Sequence, residues 1–151
     1  MFEAMLHNPA LICALVAWAI AQGSKAPIEY ARTRRWDWTL YLRAGGMPSS
    51  HTALIVAVTH AIGLTEGFAS APFALAFVVA MIVVYDATGV RRQAGLHAEM
   101  INALVRDLVA GHPLKQAKLI ELLGHSPAEA IVGGILGLVV AQLLAPWLAV
   151  R

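Results

Sequence analysis

The run Gly45-Gly46-Met47-Pro48-Ser49-Ser50-His51 closes a basic, aromatic loop and opens straight into an apolar stretch. Two hydroxyls, glycine backbone and an imidazole therefore stand where a helix begins, and the unsatisfied N–H groups and positive dipole end of such a terminus attract anions. Gly124-His125-Ser126-Pro127-Ala128-Glu129 repeats the arrangement at the mouth of a second apolar stretch. His125 and Glu129 share one face of a helix, where a carboxylate fixes the tautomer of a neutral imidazole and leaves its other nitrogen free as a nucleophile near neutral pH. Both motifs at one membrane boundary would suit phosphate chemistry on a lipid-like substrate. The charge of an in-line phosphoryl transfer spreads over equatorial oxygens, which cations and helix N-termini stabilise. The same residues have a plainer use. Ser126-Pro127-Ala128-Glu129 also spells a capping box with proline at the first helical position, Ser49 and Ser50 also serve as caps, and Gly45 and Gly46 also relax a tight loop.

The elements that must position these residues are apolar. With 59% hydrophobic and 13% charged residues and a mean hydropathy of +0.68, the chain lies outside the balance of a soluble domain. Its 151 residues give room for a single domain, 1–151. Apolar segments run over roughly residues 9–22, 52–63, 71–87 and 130–150. The last alone reaches the length of about 20 residues that a full span requires, so the others need extension by flanking turns or shielding by neighbours. Residues 63–72 are rich in turn and cap types and read as a short connection. Residues 1–8 lack a positive leader region and no clean cleavage site follows, so the first segment is expected to be retained. Cys13 stands alone inside it, which excludes a disulfide framework and a cysteine metal site and leaves a small buried hydrophobe.

The excess of two positive charges is unevenly placed. Lys25, Arg32, Arg34, Arg35 and Arg43 follow the first apolar segment, Arg91, Arg92, Arg106, Lys115 and Lys118 follow the third, and the connection between the second and third carries only Glu66. The positive-inside rule then puts both basic stretches, and both histidine motifs, on the cytoplasmic side of the cell membrane, with both chain termini outside. Leu96, Met100, Leu104 and Leu108 recur every four residues, predicting an amphipathic helix over 94–110 that lies on the membrane surface or over the site. Gly111-His112-Pro113 stops it, and a shorter helix around 115–123 is expected to end at Gly124. Trp36, Trp38 and Tyr41 read as interfacial anchors. Gly133 and Gly137 form a small-xxx-small pattern for close helix packing. His60 is expected to make a hydrogen bond inside an apolar helix, and His7, His97 and His112 to sit at surface or cap positions. No histidine pair has metal-ligand spacing. The basic residues are accounted for by topology and lack a groove-reading helix, which argues against nucleic acid. The expected fold is all-α: a compact integral membrane bundle of about four transmembrane helices plus an amphipathic interfacial helix, small enough that a homodimer could help enclose its pocket.

With these residues in view, the chain resembles the type-2 phosphatidic acid phosphatases and their vanadium-dependent haloperoxidase relatives, and in particular their small divergent membrane branch. Lys25 and Arg32 have the spacing of the superfamily's K-x6-R-P motif, with Thr33 in place of the proline. Pro48-Ser49-Ser50-His51 follows P-S-G-H with serine for glycine, and His125 with Glu129 follows the end of S-R-x5-H-x3-D, with Leu119 where the arginine would stand. The string Tyr85-Asp86-Ala87-Thr88-Gly89-Val90-Arg91-Arg92-Gln93-Ala94-Gly95 is similar to a hallmark of the divergent branch. The resemblance implies an integral membrane phosphatase acting on a lipid or isoprenoid phosphomonoester or pyrophosphate, with no metal and no cofactor. It assigns His125 as the nucleophile that becomes phospho-histidine, Glu129 as the group orienting its ring, and His51 as the acid for the leaving oxygen. Lys25, Arg32, Ser49 and the backbone near Ser50 would hold the phosphoryl oxygens. Arg91 or Arg92 is expected to replace the missing third-motif arginine, oriented by Asp86. The alternative is a non-catalytic phospholipid-binding or transport protein that keeps the anion pocket without turnover.

Overall fold

The computed structural model describes Glu3, Met5 and residues 7–42, 45–109 and 126–150, with backbone alone at 90–92, 94, 99, 103 and 106–109. Those residues form five α-helices, a short 3₁₀ turn and no strand. Helix α1, Pro9–Thr33, opens on Asn8, whose side chain accepts from Leu11 N at 3.0 Å, and closes where Arg34 turns left-handed at φ 60°. It runs well past Gln22, where the apolar pattern stops. The polar residues that end that pattern are used inside the fold: Gln22 Nε2 donates to the carbonyls of Leu40 and Tyr41 at 3.2 and 2.8 Å, and Lys25 is buried. Those bonds hold the 3₁₀ turn Trp38–Tyr41 against α1. Tyr30, Trp36, Trp38 and Tyr41 follow one another in ring contact along it.

Helix α2, Ser50–Glu66, touches α1, α3 (Ala71–Thr88) and α5 (Pro127–Ala149). Among the described residues α1, α3 and α5 are long and apolar enough to cross a bilayer, whereas α2 has 17 residues and lies in their midst. A helix so enclosed needs no lipid-matched surface of its own. The core is built from small side chains: Cys13, Ala17 and Ala21 of α1, Ala53 and Ala57 of α2, and Ala141 of α5, all fully buried. Leu75, Met81, Ile82 and Leu143 point outward. Small residues inside and large apolar ones outside is the distribution expected when hydrocarbon replaces water as solvent.

Gly133 and Gly137 mark where α5 meets α2. A methyl group on either would run into backbone carbonyl oxygen, that of Ser49 for position 133 and that of Ala53 for position 137. The two helices therefore run parallel in close register. Helix α3 returns antiparallel to α2 through a turn at Gly67, φ 95°, and Thr59 Oγ1 reaches Ala76 O at 3.2 Å. After Gly89 the chain enters α4, Val90–Val109, which packs on α3. It starts four residues before the apolar repeat predicts, because its first turn needs only backbone bonds such as Gln93 N to Gly89 O at 3.0 Å. The helix expected around 115–123 and its Gly124 cap lie outside the described residues. This path brings the C-terminus of α1, the N-termini of α2 and α5, and the α3–α4 junction to one end of the bundle.

Candidate functional site

Gly45 and Gly46 hold φ of 95° and 81°, a region that side chains rarely enter. The loop they make folds over Lys25: a Cβ at position 46 would lie 3.9 Å from Lys25 Cδ. From there Pro48 leads into Ser49, the N-cap of α2, whose Oγ accepts from Thr52 N at 3.3 Å and from Thr52 Oγ1 at 3.0 Å. The Ser49 N–H donates to Glu129 O at 3.0 Å, so the starts of α2 and α5 are joined backbone to backbone. Gly133 makes that approach possible, since it is where Ser49 crosses α5.

Lys25 is 2% exposed, and its Nζ donates to Ser50 Oγ at 3.5 Å. The Glu129 carboxylate lies close enough to act on that ammonium through space. A buried ammonium, a hydroxyl and two helix N-termini thus meet at one end of the bundle, an arrangement suited to hold a phosphoryl group. Glu129 also completes the capping box of α5: Ser126 N donates to its Oε2 at 3.2 Å and its own N–H donates to Ser126 Oγ at 3.3 Å.

The other expected residues fall variously around this cluster. His51 is exposed in the first turn of α2, next to Ser50. Arg32 is on the face of α1 that carries Lys25, but two turns on, about 10 Å along the axis; its side chain is 68% exposed and pairs with Glu29 at 3.8 Å. Asp86, partly buried near the end of α3, is level with Ser49 when the Thr59–Ala76 pairing is followed along the antiparallel helices. Arg91 and Arg92 stand in the first turn of α4, their side chains outside the description. His125 lies outside the described residues. Thr52, which tightens the Ser49 cap, and Gln22, which anchors the loop, escaped the sequence reading; a lone polar residue at the end of an apolar run was the available signal for Gln22. Among the described residues no three His, Cys, Asp or Glu side chains gather as a metal site.

Residues 6–140, a stretch that contains Lys25, Ser49, Ser50 and Glu129, match the profile of the divergent PAP2 family. The chain belongs to that family. It is also 41% identical over 152 aligned positions to the uncharacterized membrane protein YuiD of Bacillus subtilis (strain 168), covering 93% of this chain and 96% of that one. No solved structure matches it. In this divergent PAP2 protein, Lys25 lies against Ser50, and Ser49 is bonded to the Glu129 backbone, while Arg32 is turned to the surface.

Proposed function

We propose that this divergent PAP2 protein is an integral membrane phosphatase that hydrolyses a lipid or isoprenoid phosphomonoester or pyrophosphate through a phospho-histidine. The observation carrying this reading is the buried Lys25 ammonium, set against Ser50 at the N-terminus of α2 and tied through Ser49 to the start of α5. A buried cation so placed is a functional feature by default in a membrane protein, because desolvation makes it costly unless it meets an anion. In the proposed reaction a ring nitrogen of His125 attacks phosphorus as the bond to the leaving oxygen breaks, and His51 gives that oxygen its proton. Water then attacks the phospho-histidine, His51 takes the water's proton, and inorganic phosphate leaves with the imidazole restored. Lys25 and the N–H groups at the start of α2 hold the equatorial oxygens, with Arg91 or Arg92 as a further cation and Asp86 orienting it. Glu129 orients His125. The site faces the cytoplasm in this proposal, and both termini face outside.

A second reading, a phospholipid binder or transporter without turnover, draws on the engagement of Glu129 in the capping box and on Leu119 in the arginine position of the third motif. Purified protein in detergent, given lipid phosphates without added metal, should release inorganic phosphate. His125→Ala should abolish release while elution and thermal unfolding stay unchanged. Binding without release by the unmodified protein would decide for the binder.

A further inference from the structure

Past its first turn, α5 is apolar but for Gln142 and the indole of Trp147. Gln142 is exposed on the outside of the bundle. Trp147, a residue type that settles at the membrane boundary, is 80% exposed and about 8 Å nearer the end of the helix. A helical side chain leans toward the helix N-terminus, so the Gln142 amide points deeper into the hydrocarbon, away from that boundary. Its Oε1 accepts from His60 Nε2 at 2.9 Å and keeps a second lone pair. Its N–H groups have no partner among the described residues. Pro146 adds to the demand: it stands four residues on without an N–H, so the Gln142 backbone carbonyl lacks its regular helical donor. Lipid chains offer no hydrogen bonds, and polar groups left open within a span are costly until a neighbouring helix meets them.

The stripe that contains Gln142 says which neighbour. Ile131, Ile135, Leu138 and Gln142 are all exposed and recur at steps of four, three and four, the seam of a left-handed helix pair. Copies inserted the same way round in a membrane are related by an axis along its normal, so in a two-fold pair each residue near the axis meets its own counterpart. Such a position needs a group that is donor and acceptor at once. A carboxamide is one, and each Nε2 has a hydrogen to give to the other copy's Oε1.

We infer that a second copy of this chain docks along this stripe of α5, in a parallel two-fold dimer whose Gln142 amides bond each other. The opposite face of α5 is already taken by α2 at Gly133 and Gly137. Gln142 is about 20 Å along α5 from Glu129, so the inference stands apart from the proposed function.

The test uses full-length protein in lipid bilayers, labelled for energy transfer between copies and diluted with lipid. A monomer–dimer equilibrium is expected. The double variant His60→Leu with Gln142→Leu removes the intrachain pair as a whole and orphans neither partner; it should weaken dimerisation about tenfold. His60→Leu alone should change it little, because the amides still meet. If the double variant fails to fold, Ile135→Ala decides: it breaks no hydrogen bond and should weaken the dimer several-fold by trimming the seam. In a Cys13→Ala background, oxidation should join copies through Ile135→Cys much faster than through Leu75→Cys or Leu143→Cys, which are exposed away from the stripe. A monomer at every dilution, a trimer or larger ring, faster joining at position 75 or 143, or a dimer indifferent to the Gln142 and Ile135 substitutions overturns the inference.

Discussion

Lys25 faces two opposed demands, since its ammonium is withdrawn from solvent while, among the described residues, a long bond to Ser50 and the through-space pull of Glu129 offset the loss. A side chain kept in that state for stability alone would be poorly chosen, because apolar replacements of buried ions are often neutral or stabilising. Lys25→Met should therefore hold or raise the unfolding temperature while phosphate release falls about a hundredfold or more, the usual cost of removing a group that stabilises transition-state charge. Lost stability with unchanged release would make Lys25 structural. The two uses of Glu129 can be separated in the same way. Ser126→Ala removes the cap and should cost about 1 kcal/mol with release intact. Glu129→Gln keeps a residue that serves in a capping box but deletes the charge beside Lys25, and should lower release with little loss of stability. At this scale the sequence was legible where a role is local: the capping box and the Ser49 cap both follow from neighbours in the chain. Arg32 shows the limit. Its spacing from Lys25 puts both on one face, but spacing does not say where the adjoining helix ends, and Arg32 projects past it toward Glu29.

Among the elements, the contact of α2 with α5 sets the site, because it brings Ser49 to Glu129. Gly133 and Gly137 lie against the Ser49 and Ala53 carbonyls, whereas a methyl at Gly134 would meet only ordinary van der Waals contacts. Gly133→Ala and Gly137→Ala should each cost about 1–3 kcal/mol through overpacking, and Gly133→Ala should also depress release by parting the two helix starts. Gly134→Ala should be neutral or stabilise by up to about 1 kcal/mol from helix propensity. Thermal unfolding in detergent, with release assayed alongside, ranks the three; equal effects would mean that the close approach is not at 133 and 137. The small-xxx-small pattern made this contact readable in advance. The full length of α1 was not readable, because Gln22, Ser24 and Lys25 look like the end of an apolar segment when they are the polar lining of a continuing helix. The enclosure of α2 was readable only as one of two choices, since a segment too short for a span calls for extension or for shielding by neighbours and hydropathy does not say which.

On the scale of the whole molecule, the alternation of helix directions carries the basic end of α1, with Lys25, Arg32 and Arg34, and the start of α4, with Arg91 and Arg92, to one end and the Gly67–Ser70 turn to the other. Charge distribution made this legible before any coordinates, because loop charges record which ends stay together while apolar segments record only that a membrane is crossed. Which end faces the cytoplasm is testable by labelling. In a Cys13→Ala background, which removes a fully buried thiol at the cost of a small cavity, single cysteines can replace Arg34 and Leu42 at the basic end and Glu66 and Phe68 at the far end, all of them exposed. A membrane-impermeant maleimide added to intact cells should label positions 66 and 68 and spare 34 and 42; inverted vesicles should give the reverse. The opposite pattern would keep the bundle but move the site to the outer face, where its substrate would have to come from the outer leaflet. Labelling of all four positions from one side would contradict the antiparallel pairing of α2 with α3 and, with it, the convergence of Lys25, Ser50 and Glu129 at a single membrane boundary.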